Sequence, residues 1–288
     1  GVSAEASSLA GTQELGNLNI IYDDNRISIE GDTHNAFTED VSARYRAYGW
    51  HVIDVAASKD GSVDIAALDS AMLAAKKEST KPTLIRMKSV IAWPAPKAQG
   101  TAASHGSALG ADEIKETKIA LGLNPEEHFA MPAEVLAHAR LVKDRGAKQR
   151  AQWNTRFEQW KSANPDKATL LERLEKRSLP AGWDSKLPVF APDKDVATRA
   201  ASGEVINAIA AVLPEFWGGS ADLAGSNNTS IKGGGSFLPP SSSIEGADPY
   251  GRIIHFGIRE HAMGSILNGI TLHGLTRSFG GTFAVFSD

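Results

Sequence analysis

The alternation of short apolar runs with helical repeats is what most restricts the folds open to this chain. Residues 18–22 form an apolar run ending in Tyr22, and residues 83–87 read as a further strand. Runs of this length suit strands covered on both faces of a sheet. Between them, Asp64 can cap a helix whose apolar stripe is Ile65, Leu68 and Met72, at i, i+3 and i+7, with Lys76 and Lys77 in its last turn. Residues 5–13 read as a helix of small residues able to approach a neighbour closely. Repeated strand–helix units predict a parallel, doubly wound sheet. The pattern returns after residue 195, where Val205, Ile206, Ile209 and Val212 mark a helical stripe. There, residues 253–258 and 278–286 read as strands around a helix over 260–273.

Residues 132–192 break the alternation. Trp153, Phe157 and Trp160 fall at i, i+4 and i+7 amid Lys, Arg and Glu, which predicts the packing face of an amphipathic helix. The expected architecture is therefore α/β. A first domain covers residues 1–131, a helical connector 132–194 and a second domain 195–288, and both parallel sheets are incomplete.

Composition narrows the functions. The 288 residues suffice for two cores, and a net charge of −4 gives no electrostatic reason to expect nucleic acid or an anionic membrane as partner. No apolar stretch approaches the ~20 residues that span a bilayer, and the first residues lack the layout of a signal peptide. The absence of cysteine excludes disulfide and thiolate chemistry and fits a reducing, cytoplasmic setting.

In open α/β sheets, ligands collect beyond the carboxyl ends of the strands. Asp23-Asp24-Asn25 lies at such an end. The Asn25 side-chain oxygen and the Ile27 carbonyl two residues on form a compact pair of hard oxygen ligands for Mg²⁺ or Ca²⁺, although such turns also serve as local caps. His105 sits in a loop of small residues, 100–110, where a backbone can approach a ligand. Glu260 opens an apolar helix directly after a strand. An acid there is favourable near the helix dipole for purely structural reasons as well. The same holds for Glu5 in its helix. Phe283 and Phe286 come after Gly280-Gly281-Thr282, and residues 218–227 form a donor-rich loop holding Asp222 and Ser226. Read by themselves, Arg199 and Ser226 are a solvated helix charge and a turn former. His34, His128 and His138 lack comparable surroundings and read as structural.

Taken in order, residues 1–31, the loop around His105, residues 218–227 and His255-Phe256-Gly257-Ile258-Arg259-Glu260-His261 resemble the transketolase family of thiamine diphosphate enzymes. The resemblance implies two thiamine-diphosphate-binding domains, one for the cofactor's diphosphate and one for its pyrimidine ring. It assigns the metal to Asn25 and the Ile27 carbonyl, and diphosphate contact near the reacting carbon to His105. Glu260 would hydrogen-bond the aminopyrimidine and so promote loss of the thiazolium C2 proton. Phe283 and Phe286 would form the ring's apolar pocket, Asp222 would lie beside the cofactor, and Arg199 and Ser226 would bind sugar phosphate. Glu5 would belong to a carboxylate chain at a homodimer interface, with active sites shared between subunits. The implied activity transfers a two-carbon ketol unit from a ketose phosphate to an aldose phosphate in the pentose phosphate pathway.

The family's upstream Gly-Asp-Gly, with its metal-binding aspartate, has no counterpart here, nor have its N-terminal substrate histidines or its C-terminal domain. The expectation is thus a segment that is inactive alone. A deoxyxylulose-phosphate synthase or 2-oxoacid dehydrogenase relative is an alternative, as is a non-catalytic remnant pairing with another chain. The Gly257–His261 motif and the two loops favour transketolase over the former.

Overall fold

A computed structural model of the chain describes residues 1–286. The chain separates into two compact units, one of Ala10–Leu136 and the other joining Gly1–Leu9 to the chain from Ala137 onward. Helix α1 (Val2–Thr12) contributes to both.

The Ala10–Leu136 unit runs β1 (Asn19–Asp24), β2 (Ile27–Ser28), β3 (Gly31–Asp32), α2 (Val41–Ala47), β4 (His51–Val55), α3 (Ile65–Lys77), β5 (Thr83–Lys88) and α4 (Ala111–Ala120). The sheet order is β1-β5-β4 and every pairing is parallel. The central strand β5 explains the layering. Leu84 packs with Ala10, Val41 and Trp50, while the next residue, Ile85, packs with Val55, Ala71 and Ala75. Successive side chains point to opposite faces, so one strand anchors two apolar layers. Leu84 and Ile85, each 1% exposed, contribute about 1.5–3 kcal/mol apiece.

Two expectations need correction. Residues 18–22 are not covered on both faces: β1 is the outer strand and Ile21 is 47% exposed. Asp64 does cap α3, accepting from the Ala67 amide at 2.9 Å. The buried face, however, is Ala71 and Ala75, with Ala67 and Leu68 beside them, while Ile65 and Met72 are 69% and 45% exposed. Alanine lets the helix lie close on the sheet, and the larger residues are left outside.

The second unit contains α5 (Ala133–Ala163, whose first turn belongs to the other unit), α6 (Pro165–Glu175), α7 (Thr198–Val212), β6 (Phe216–Ser220) and α8 (Ala224–Asn227). It continues through β7 (Ser236–Phe237), β8 (Ala247–Asp248), β9 (Ile253–His255), α9 (Glu260–His273) and β10 (Arg277–Gly281). The sheet order is β10-β6-β9-β7-β8, parallel throughout. Ile254 joins Leu9, Ala221, Phe256 and Met263 in one cluster, and its neighbour Ile253 packs against Ile206, Ala210 and Ile231 in another. On α5 the aromatic stripe stacks along the helix itself, Trp153 on Phe157 at 4.7 Å and Phe157 on Trp160 at 5.7 Å, rather than entering a core. No helix among the described residues is long and apolar enough to cross a membrane.

Glycine accounts for further differences. The buried face of α7 is Gly203, Ile206 and Ala210, sharing only Ile206 with the expected stripe. At Gly203 a Cβ would lie 2.8 Å from that of Asn228. The strand expected over 253–258 ends at His255 because Gly257, at φ +67°, turns the chain. The strand expected over 278–286 ends at Gly281, and Ala284–Phe286 form a 3₁₀ turn. Gly218–Ser220, expected in a loop, are strand.

Glu215, just before β6, has a side chain only 2% exposed and receives two hydrogen bonds from Arg173 of α6, at 2.7 and 2.8 Å. Burial works most strongly against its charge, but the Arg173 hydrogen bonds, a backbone hydrogen bond and the positive charges of Arg173 and Arg277 together hold its carboxyl below the usual range. A depressed folded-state pKa adds stability that is fully present above the unfolded value of about 4.3 and is lost as pH falls through the folded value. Glu215→Gln should lower stability at neutral pH by about 1.5–3 kcal/mol and flatten its dependence on pH below about 4.5. Urea unfolding at a series of pH values checks this, and an acid limb as steep in the variant as in the parent would refute it.

Candidate active site

In the Ala10–Leu136 unit, the candidate residues gather at the carboxyl edge of β1. Asn25 comes directly after the last residue of that strand, and Arg26 adopts a left-handed φ of +63°. The reversal lets Asn25 Oδ1 accept from the Ile27 amide at 3.0 Å and starts the β2–β3 hairpin. The two aspartates before it are engaged elsewhere. Asp24 is buried and receives Arg86 Nε at 2.8 Å, and Asp23 accepts from the Ser89 hydroxyl. A carboxamide oxygen that has accepted one hydrogen bond keeps a second lone pair. The turn therefore offers a neutral hard oxygen, chemistry that fits Mg²⁺ or Ca²⁺. Among the described residues no trio of His, Asp, Glu or Cys is arranged to hold a metal, so neutral oxygens are what this turn can contribute.

His105 ends a 3₁₀ turn, Ala102–His105, that lies alongside β2. Its loop is pinned from two directions. Thr101 Oγ1 donates to the Ala98 carbonyl at 2.7 Å, and Ser104 bonds the same carbonyl. The Lys97 and Ala98 amides donate to Glu113 of α4 at 2.7 and 2.8 Å. The histidine is exposed on an anchored loop beside the strand that carries Ile27. His34 sits nearby in a local cluster with Arg26 and Asp32.

In the other unit, Phe256 is fully buried and Gly257 turns the chain into α9. A Cβ at Gly257 would meet Arg259 Nη1 at 2.5 Å. Arg259 closes this turn, donating to the Phe256 carbonyl at 2.8 Å and the Ser8 hydroxyl at 3.0 Å. Glu260 is thereby fixed, half-buried, at the first position of α9. No side chain of the residue before the helix caps it. Glu5 does so instead, its Oε2 accepting from the Ala262 amide at 3.1 Å. Glu5 is thus no loose surface acid.

A cleft of about 620 Å³ opens between the start of α7 and the end of β10, lined by Arg199, Asn227, Thr229, Thr282 and Phe283 among others. It brings Arg199 and Phe283 together. Asp222, at a left-handed φ of +58°, and Ser226 are exposed on the turn after β6, and Phe286 lies in the 3₁₀ turn. These three and Glu260 do not line the cleft. Within the cleft, Thr282 Oγ1 is buried without a hydrogen-bond partner. An unmatched buried hydroxyl beside an aromatic face suits a heterocycle carrying polar nitrogens, and in that respect the cleft fits the pyrimidine half of thiamine diphosphate. Sequence reasoning missed Ser220, Asn227, Thr229 and Thr282, because Ser, Thr and Asn among glycines read as turn formers.

Comparison with known proteins assigns the family. The profile described as transketolase, thiamine diphosphate binding domain, matches residues 1–180, and that of the transketolase pyrimidine binding domain matches residues 194–288. The chain belongs to the transketolase family. A transketolase from Mycobacterium leprae is 50% identical over 291 residues, covering all of this chain and 41% of that protein. One from Geobacillus stearothermophilus is 47% identical over 289 residues, covering all of this chain and 42% of the relative. The chain therefore spans about two fifths of the length of these curated transketolases. Among solved structures, a Pichia stipitis transketolase variant in complex with fructose 6-phosphate superposes with a TM-score of 0.91 at 46% identity, over 99% of this chain and 42% of that one. The same organism's transketolase in complex with sedoheptulose 7-phosphate gives 0.90 at 46% identity, over 98% and 41%.

The capping contact can be tested within this unit. Glu5→Ala leaves the Ala262 amide without its acceptor and should cost about 0.5–2 kcal/mol, the usual range for a lost N-cap. Thermal unfolding of the chain measures the loss. An unchanged midpoint would mean that Glu5 does not hold α9.

Proposed function

We propose that the intact protein to which this chain belongs is a transketolase. It would transfer a two-carbon ketol unit from a ketose phosphate such as xylulose 5-phosphate to an aldose phosphate, using thiamine diphosphate and Mg²⁺ or Ca²⁺. The observation carrying this reading is Glu260, fixed by Arg259 at the first position of α9, in a chain about 50% identical to transketolases along its whole length. Sugar phosphates bound by the Pichia stipitis relatives support the substrate class.

Bound thiamine diphosphate supplies a carbon nucleophile able to cleave a ketose beside its carbonyl. The chain's residues would do the rest. Asn25 Oδ1 and the Ile27 carbonyl hold the metal, and His105 contacts the diphosphate. Glu260 holds a proton against the aminopyrimidine ring. Phe283 and Phe286 enclose that ring, and Asp222 lies beside it. Arg199 and Ser226 take the sugar phosphate. We assign residues 1–131 to the diphosphate-binding domain, 132–194 to the connector and 195–288 to the pyrimidine-binding domain. The protein would be a cytoplasmic homodimer of the pentose phosphate pathway with shared active sites, in which Glu5 lies at the interface.

Mixed dimers test this reading. An Asn25→Ala full-length protein and a Glu260→Ala full-length protein should each be nearly inactive. Their verified heterodimer should regain activity, up to about half that of the unsubstituted dimer, since one of two equivalent sites keeps both residues. Heterodimers no more active than either single variant would reject it.

A further inference from the structure

The turn after β6 and the end of β10 are tied together by a buried hydrogen-bond network centred on Ser220. Its hydroxyl donates to the Gly281 carbonyl at 2.8 Å and accepts from Asn227 Nδ2 at 2.8 Å and from the Leu223 amide at 3.2 Å. One donor and two acceptors are all that a serine hydroxyl has. Asn227 Oδ1 in turn accepts from Thr229 Oγ1 at 2.8 Å. Ser220, Asn227 and Thr229 are all more than nine-tenths buried. The fit at β10 admits only glycine: a Cβ at Gly281 would lie 2.5 Å from Thr229 Cγ2 and 3.0 Å from Asn227 Nδ2. Asn227 and Thr229 also form part of the cleft wall beside Arg199, Thr282 and Phe283.

We propose that Asn227 is a positioning residue that locks the turn bearing Asp222 and Ser226 to the Gly281–Phe283 turn. Groups assigned to the sugar phosphate and to the cofactor ring are then held as one rigid body. This inference deepens the proposed function and rests on it for the identity of those ligands. The chemistry requires a carboxamide. Aspartate at this position still accepts from Thr229 but cannot donate to Ser220. If its carboxylate takes the Ser220 proton instead, the Gly281 carbonyl loses its donor and is left unsatisfied in the interior. Either rearrangement loosens the two turns together.

The test is Asn227→Asp in the full-length protein, read by backbone amide exchange and by kinetics. Amides of residues 223–226 and 281–283 should exchange about tenfold faster together, with α3 unchanged. KM for sugar phosphate should rise about tenfold. Unchanged protection at 281–283 would overturn the proposal. So would faster exchange with unchanged KM, the signature of a merely structural role. If the unsubstituted protein shows no ketol transfer, the proposed function is what fails, and amide exchange alone then decides for or against the locking role. Should Asn227→Asp not fold, Thr229→Val keeps the shape, removes only the donor to Asn227, and is read in the same way.

Discussion

Parallel pairing is the constraint that orders both units, because parallel strands cannot be joined by tight turns and each needs a crossover that returns the chain to the other end of the sheet. All carboxyl ends therefore lie along one edge of each sheet, and the residues just after each strand are displayed there. Asn25 comes after β1, Asp222 after β6, Glu260 after the turn that ends β9, and Thr282 and Phe283 after β10. These residues lie far apart in sequence, and strand direction alone brings them to one edge within each unit. The apolar layers keep that edge in place. Adjacent residues on central strands, Leu84 and Ile85 in one sheet and Ile253 and Ile254 in the other, anchor opposite faces.

Polar groups at such an edge stay charged or aligned only when each has a partner. Arg86 meets Asp24 at 2.8 Å and Asp54 at 3.5 Å. Burial opposes its charge, yet hydrogen bonding and proximity to Asp24 raise its pKa overall. This pair engages the aspartate nearest Asn25. In the other unit, Glu5 supplies the acceptor that α9 lacks, and Ser220 supplies a donor to the Gly281 carbonyl at the end of β10. Partners for the functional turns thus come from distant segments rather than from the turns themselves.

That division explains what the amino-acid sequence reveals and what it hides. Local signals were legible: the Asp64 cap, the β5 run, and the span of α9 from Glu260 to His273, which begins after Gly257 and ends at Gly274. The buried faces of α3 and α7 were misread because small residues, Ala71, Ala75 and Gly203, make the closest approaches, while size-weighted periodicity points to Ile65 or Val205. The extent of β10 was overestimated, since Phe283 and Phe286 look like strand residues but Gly280 and Gly281 end the ladder. Ser220, Asn227 and Thr229 were missed for another reason. The bond from Ser220 to Gly281 joins residues 61 positions apart, and no local pattern encodes such a partner.

The central claim is that Glu260 is placed to hold a proton for bound thiamine diphosphate. Hydrogen–deuterium exchange at the cofactor's C2 position, measured by NMR on the full-length Glu260→Gln protein, addresses it most directly. Glutamine keeps the shape and can still hydrogen-bond, but it cannot hold or release the proton. The account predicts exchange slowed by about 10²-fold or more, with cofactor affinity much less affected. Exchange at the parent rate in a variant saturated with cofactor would contradict it.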